Sequence, residues 1–249
     1  MPTFQSPALV LRAYDFSEAD RMLVLFTRQL GKIKGVARGV RRATSRLGGA
    51  LGWLSHSDLQ LAARGEHGDL YRITQGQLLR AYPKLKESLG ALGRAARMAE
   101  ILFSLTPDHQ PLPEIFELAE TALNLWDAGI SPDKVGVWFE WMFLERMGHR
   151  PQLERCQDCG AEADVLAYHA EHEGVSCRAC RVQGGLPLSA GSRAVLAKMI
   201  SGHPAKLPRL SLSPANETEI QALLDAVWRA HLGRPFKSES FQKAVEGLE

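Results

Sequence analysis

The sequence predicts a multidomain α+β protein with an N-terminal β-barrel, an α-helical domain and a module built on four cysteines. Short runs of branched apolar residues fill the first 80 residues, and apolar residues at helical spacing follow them. Four cysteines in two close pairs lie beyond residue 150. A chain of 249 residues exceeds the usual size of one domain, so separate cores are expected.

The barrel prediction comes from alternating apolar and polar residues separated by turn residues. Five strands in about 75 residues is the size of a small Greek-key barrel such as the oligonucleotide-binding (OB) fold. An SH3-like barrel would have a similar pattern, and the number of strands does not separate the two. The predicted strands lie near residues 7–14, 20–28, 31–40, 50–63 and 69–80.

The period of the apolar residues changes after Pro83, where spacings of three and four indicate one face of a helix that extends to Phe103. A second helix is predicted over residues 115–126. A third begins at Ser131-Pro132, because serine is a good N-cap and proline suits the first helical turn. The predicted domains are the barrel, the helical domain, the cysteine module and C-terminal helices that pack on the helical domain, over residues 1–80, 81–150, 151–185 and 186–249.

Composition limits the classes of protein. The N-terminal residues lack the cationic start, apolar core and cleavage site of a signal peptide, and no apolar run approaches the length of a membrane span. Four cysteines in 249 residues are too few for a disulfide-stabilised secreted domain. We therefore expect a cytoplasmic protein that does not bind membranes.

Positive charge is concentrated in one segment, Gly31–Gly49, which has six cations, five glycines and no Asp or Glu. The wider window Arg21–Ser57 has eight cations and no anion, whereas the whole chain has a formal net charge of +2, so the remainder sums to −6. A polyanionic backbone favours such a local concentration, because each neutralised phosphate releases counterions. The alternative is a hairpin with a solvated basic face.

The four cysteines form the most specific chemical pattern in the chain. Two residues separate Cys156 from Cys159 and Cys177 from Cys180, and 17 residues separate the pairs. Two such turns can present four thiolates to one tetrahedral ion, which predicts a structural zinc site without an open position for water. Free buried thiols and redox dithiols are the alternatives. Nearby histidines could substitute as ligands, but four thiolates leave them no necessary place, so we expect them at the surface: His149, His169 and His172.

No phosphate-binding glycine loop, nucleophile elbow or zinc-protease motif occurs in the sequence. Asp15, Glu18 and Asp20 form a small acidic cluster that a magnesium-dependent nuclease could use, but a solvated loop is the favoured interpretation. We therefore expect a binding protein that is not an enzyme.

Three stretches of the chain resemble the RecO family of bacterial DNA repair and recombination mediators. Residues 8–49 match the N-terminal pattern of that family in ALVLRAYDFSEADRMLVLFTRQLGKIKGVARGVRRATSRLGG. GQLLRAYPKLKESL, residues 76–89, resembles its junction between barrel and helices. FEWMFLERMGHRPQLERCQDCG, residues 139–160, resembles its helix before the first cysteine pair.

The resemblance implies an OB barrel, a helical domain and a zinc-finger-like module. It also implies binding of single- and double-stranded DNA, annealing of complementary strands and, with RecR, help in loading RecA onto gapped DNA covered by single-stranded-DNA-binding protein, in some cases alongside RecF. It further implies a RecR surface on or near the barrel and an apolar pocket on the helices for the tail of the single-stranded-DNA-binding protein.

Carried over to this chain, the resemblance makes six cations the expected phosphate contacts. Arg21 and Arg28 lie in a predicted strand, so each either contacts phosphate or points into the core. Nearby aromatic residues, Tyr14, Phe16, Trp53 and Tyr71, are candidates either for base stacking or for the core. An adaptor that uses its zinc module and helices as a protein scaffold is the remaining alternative. The six expected DNA contacts are Lys32, Lys34, Arg38, Arg41, Arg42 and Arg46.

Overall fold

The computed structural model describes residues 2–45, 47–64, 70–180 and 184–238. The chain divides into two units, Met1–Ala128 and Gly129–Glu249. The three helices that follow the barrel belong to the first unit, so this division falls within the helical domain that the sequence predicted. Each unit has its own buried core.

Five strands form a closed barrel in the first unit, which confirms the predicted N-terminal barrel. The strand order around the barrel is β1-β2-β3-β5-β4. All neighbouring pairs are antiparallel except β3 and β5, which pair in parallel through two residue pairs. This order, with its single parallel closure, is OB-like. The strands are β1 (Thr3–Asp15), β2 (Arg21–Thr27), β3 (Gly31–Ala37), β4 (His56–Arg64) and β5 (Leu70–Arg80).

The predicted fourth strand was wrong over residues 50–55. A 3-10 turn occupies Gly48–Leu51, and β4 begins only at His56. The hydroxyl of Ser55 donates to the carbonyl of Gly52 at 2.7 Å and lies 2.9 Å from that of Ala50. These local bonds satisfy carbonyls that a strand would pair with its neighbour, so the backbone turns here.

Three helices follow the barrel in the first unit: α1 (Pro83–Glu87), α2 (Leu89–Leu105) and α3 (Pro113–Asp127). The sequence predicted one continuous helix in place of α1 and α2. The backbone breaks at Ser88, which is extended and whose side chain accepts a hydrogen bond from the Ala91 N–H at 3.3 Å. Ser88 therefore acts as the N-cap of α2, which explains the break.

The segment after α2 lies directly against the start of β3. A Cβ atom on Gly31, whose φ is +70°, would collide with the backbone of Gln110. The N–H of His109 donates to the Lys32 carbonyl at 2.9 Å. Glycine is required at position 31 because only it permits both the left-handed backbone and this close approach.

In its described residues, the second unit combines three α-helices with a small sheet of order β7-β6-β8. The sequence analysis predicted its helices but none of its strands, which have three to five residues each. In the core, the indole N–H of Trp228 donates to the Glu140 carboxylate at 2.6 Å. The elements are α4 (Pro132–Met147), β6 (Val165–His169), β7 (Gly174–Ser176), β8 (Leu186–Ser189), α5 (Ala190–Ser201) and α6 (Pro214–Leu232).

Serine N-caps begin the helices of the second unit, as the sequence predicted for Ser131. The hydroxyl oxygen of Ser189 accepts the Ser192 N–H at 3.2 Å, and that of Ser213 accepts the Asn216 N–H at 3.2 Å. Each cap satisfies one N–H group that the helix itself leaves unpaired.

Candidate nucleic-acid interface and metal site

Four of the six expected DNA contacts are exposed in the first unit. Lys34 lies on β3, and Arg38, Arg41 and Arg42 follow in the turns after that strand. Arg46 lies outside the residues that the structure describes. Lys34, Arg38 and Arg42 form no side-chain ion pair or hydrogen bond with another described residue. Their charges are therefore not neutralised within the described part of the chain.

Lys32 differs from these four cations because its side chain is buried, with 8% of its surface exposed. Its ammonium group donates to the carbonyls of Phe103 and Thr106, the latter at 2.6 Å, and lies 3.2 Å from a carboxylate oxygen of Asp108. Those carbonyls stand at the C-terminal end of α2, where a helix lacks internal partners and favours a cation. Lys32 therefore joins β3 to α2, and we leave it out of the candidate DNA surface.

The acidic cluster between β1 and β2 holds the basic segment in place. Arg41 lies 3.6 Å from the Asp15 carboxylate and donates to the Ser17 carbonyl at 3.2 Å. The Asp20 carboxylate accepts the Gly39 N–H at 2.8 Å. Two of the three carboxylates thus bind partners inside the protein. In the described residues, the cysteine cluster is the one group of His, Cys, Asp or Glu close enough to hold an ion.

Two further arginines are occupied by carboxylates. Arg21 pairs with Asp15 at 3.2 Å, and Arg28 pairs with Glu117 of α3 at 2.6 Å. Both pairs are about half exposed, so water screens them and each contributes little to stability. The guanidinium groups of Arg21 and Arg28 nevertheless point toward these carboxylates.

The four aromatic candidates separate into two groups. Tyr14, Phe16 and Trp53 expose 47%, 58% and 37% of their surface, respectively. Tyr71 is buried in the barrel core, where its ring lies 6.3 Å from that of His109 in a stacked arrangement. Three aromatic rings therefore remain available to stack against bases.

One basic residue near this segment was missed by the sequence analysis. Arg72 is exposed and pairs in register with Val36 of β3, which brings it beside the exposed cations of that strand. Alternation along β5 could have indicated that Arg72 faces outward. The parallel pairing that places it next to β3 has no local signal in the sequence.

The four cysteines form one cluster, as predicted. The Sγ atoms of Cys156, Cys159, Cys177 and Cys180 all lie within 4.8 Å of one another. Those of Cys159 and Cys177 are 3.7 Å apart. Metal–sulfur bonds of about 2.3 Å place the sulfurs of a tetrahedral zinc site about 3.8 Å apart. The four thiols therefore fit a metal ion of this size.

Local turns and the small sheet build this cluster. The Gly160 N–H donates to the Cys156 carbonyl at 2.8 Å, and Gly160 has a φ of +73° that favours glycine. The Cys180 N–H closes the second turn onto the Cys177 carbonyl at 3.1 Å. The N–H of Gln157 bonds to Val175 of β7 and so fixes the first turn to the second.

Backbone N–H groups around the cluster stabilise a thiolate. Chiefly through the amide of Cys177, they lower the pKa of the Cys156 thiol to about 6. The three histidines considered as alternative ligands are not part of the cluster; His149 and His172 are exposed as expected, whereas His169 is buried. The ring of His149 instead lies 4.8 Å from that of His231.

A pocket of about 560 Å³ lies in the second unit. Trp138, Met199 and Leu207 form an apolar floor and are almost completely buried. Lys198 and Lys206 are among the cations that line its rim. This combination of apolar floor and basic rim suits a segment that carries both apolar and acidic groups.

In the described part of the chain, no helix has the length and apolar character needed to cross a membrane.

Comparisons with known proteins agree with the sequence resemblance. The family model for the recombination protein O N terminal matches residues 1–82, and the model for its C terminal matches residues 86–240. A protein called DNA repair protein RecO from Geobacter metallireducens is 31% identical over 99% of both chains. Proteins of that name from Heliobacterium modesticaldum and Anaeromyxobacter sp. are 32% and 33% identical; the alignments cover 98% and 96% of this chain and 91% and 96% of theirs.

The two lysines of β3 provide a matched test of burial. Lys32→Met is expected to lower the free energy of unfolding by about 2 kcal/mol, because it leaves two carbonyls at the end of α2 without their charged donor. Lys34→Met is expected to change it by less than about 0.5 kcal/mol, since that side chain is exposed. Urea unfolding of both variants measures the difference, and equal destabilisation would contradict the structural role of Lys32.

Proposed function

Because the chain belongs to the RecO family of DNA repair proteins, we propose that it is a non-enzymatic mediator that binds single- and double-stranded DNA through its barrel. In this proposal it anneals complementary strands and, together with RecR, helps RecA to load onto gapped DNA covered by single-stranded-DNA-binding protein. One observation supports it above all. Lys34, Arg38 and Arg42 are exposed and form no ion pair with any other described residue.

Phosphate neutralisation explains how such a surface would act. Each cation that contacts a phosphate releases condensed counterions, which gives affinity without sequence preference and makes binding depend steeply on salt. A protein that neutralises two strands at once reduces the repulsion between them, which favours annealing. The exposed rings of Tyr14, Phe16 and Trp53 would add sequence-tolerant stacking on single strands.

The bonds of the acidic cluster favour this proposal over a magnesium-dependent nuclease. Asp15 is occupied by two arginines, and Asp20 accepts a backbone N–H group. To bind magnesium through both carboxylates, Asp15 and Asp20 would have to break these bonds. Magnesium-dependent cleavage of DNA that disappears in Glu18→Ala would support the nuclease interpretation instead.

The basic segment is tested by removing two of its charges. Arg38→Gln/Arg42→Gln is expected to reduce the slope of log affinity against log salt concentration by about 1.4 for single-stranded DNA, since each lost phosphate contact removes about 0.7. Fluorescence anisotropy of a labelled oligonucleotide across a salt series measures this slope. Strand annealing by the same variant should slow in parallel.

Lys84→Gln/Lys86→Gln is the matched control, because it removes two exposed charges from α1 of the same unit. It should leave the slope unchanged. An equal reduction in both variants would indicate a diffuse effect of net charge, and unchanged binding in both would favour the adaptor interpretation. Lys32→Met should bind DNA as the wild type does.

We propose that the cysteine cluster holds one structural Zn²⁺ per chain. The donor set supports this, because four thiolates at these separations match tetrahedral zinc and leave no position for water or substrate. The ion would tie together two turns that are separated by 17 residues. Its contribution would be to the folding of the second unit, since such sites rarely form without their metal.

Replacement of two ligands tests the zinc proposal. Cys156→Ser/Cys159→Ser is expected to abolish bound metal and to unfold the cysteine module. Elemental analysis of the purified proteins should give one zinc per wild-type chain and none in this variant. His172→Ala is the control and should retain the metal; wild-type protein without zinc would remove the proposal.

The partner proposals come from the family and gain a candidate location from the second unit. The apolar, basic-rimmed pocket beside Trp138 suits the tail of the single-stranded-DNA-binding protein that the resemblance implies. RecR, RecA and RecF are proposed as further partners, with RecR on or near the barrel. The proposed setting is the bacterial cytoplasm, with the protein on the nucleoid when it is bound to DNA.

Charge reversal tests the pocket. Lys198→Glu/Lys206→Glu is expected to weaken binding to the single-stranded-DNA-binding protein about tenfold, because it replaces attraction at the rim with repulsion. Titration in the absence of DNA measures the affinity. Lys84→Glu/Lys86→Glu should have no such effect, and the failure of the wild type to bind at low salt would refute this partner assignment.

A further inference from the structure

A small groove lies where β3, β4 and β5 meet on the barrel. Its volume is about 280 Å³. In the described residues, β3 and β5 pair through Gly35 with Tyr71 and Val36 with Arg72, and the groove lies beside this pairing. The groove is smaller than the pockets that usually enclose drug-sized ligands, which begin at about 300 Å³. It therefore suits a single ring system.

The floor of the groove is apolar and well packed. Val36 exposes 5% of its surface, and Ala62, Ala63, Leu70 and Tyr71 add further apolar lining beside the one hydroxyl of Thr74. Because the floor offers mainly carbon atoms, a ligand that fills it must present an apolar face.

Two guanidinium groups stand at the rim of this apolar floor. Arg38 and Arg72 are both exposed, and neither forms an ion pair or side-chain hydrogen bond with another described residue. Guanidinium groups stack on flat aromatic rings and also bind phosphate through two parallel hydrogen bonds. Arg38 and Arg72 can therefore recognise a ligand that joins a flat ring to an anion.

The position of the groove connects it to the basic segment. Lys34 and Val36 occupy alternate positions along β3, so their side chains project to the same face, and Arg38 follows directly after the strand and lines the groove. Val36 in the groove floor thus lies between two of the proposed phosphate contacts. A DNA strand whose phosphates contact these cations would pass over the groove.

We propose that this groove receives one unstacked base of single-stranded DNA, held between Arg38 and Arg72 over Val36. The inference rests on the proposed DNA binding and adds a specific site for a base to it. Such a site would give single strands an advantage over duplex DNA, whose paired bases cannot enter the groove. It is also sequence-tolerant, because every base has a flat face.

The test compares two oligomers of equal length and phosphate number, oligothymidine and its abasic counterpart. In Ala62→Phe, which fills the groove without changing charge, the preference for oligothymidine is expected to fall at least about fivefold. Affinity for the abasic oligomer and its salt slope should stay at the wild-type values. Arg72→Lys is a second variant, for use if Ala62→Phe fails to fold. It keeps the charge but loses the planar group, so it should also reduce the preference for oligothymidine.

Ala215→Phe, on the exposed first turn of α6, is the control for added bulk and should retain the full preference. An unchanged preference in both groove variants would overturn the base site while leaving DNA binding intact. Failure of the wild type to bind either oligomer would instead refute the proposed function. Thymidine monophosphate that competes as strongly as the oligomer would make the groove a free-nucleotide site and also overturn the proposal.

Discussion

The first unit depends on the parallel contact between β3 and β5, which closes the barrel through two residue pairs in the described part of the chain. It joins strands that are separated by the whole of β4 and by the turns around it. The contact places Gly35 and Ile73 in one core and aligns the outward residues of β3 with those of β5. The same pairing completes the barrel and borders the groove beside Val36.

The cations of β3 show how one basic run can serve two purposes. Lys32 lies under the end of α2 and supplies a donor to carbonyls that the helix cannot satisfy. Lys34, two residues later, projects into solvent. The difference arises from what covers each position, since α2 and the segment after it lie over the start of β3 but not over its end. Arg41 is intermediate, because Asp15 and the loop before β2 fix it at the surface.

The second unit is organised around a different constraint, the convergence of four thiols. Each cysteine turn is local, but the two turns meet only because Gln157 bonds to Val175 and the small sheet holds the second turn in place. Strands of three to five residues could not hold such a geometry by themselves. A bound ion would link the two turns directly, which explains why a short sheet and a four-ligand site occur together.

The sequence by itself determined the barrel, the helices of the second unit and the membership of the cysteine cluster. These features depend on alternation, helical period and short spacing, all of which are local. Tertiary structure alone decided that Lys32 is buried, that Arg72 lies beside β3 and that Tyr71 belongs to the core. It also decided that Asp15 and Asp20 bind the basic segment. The physical reason is that burial and ion pairing depend on which segments, distant in sequence, come into contact. Local residue patterns do not specify these contacts.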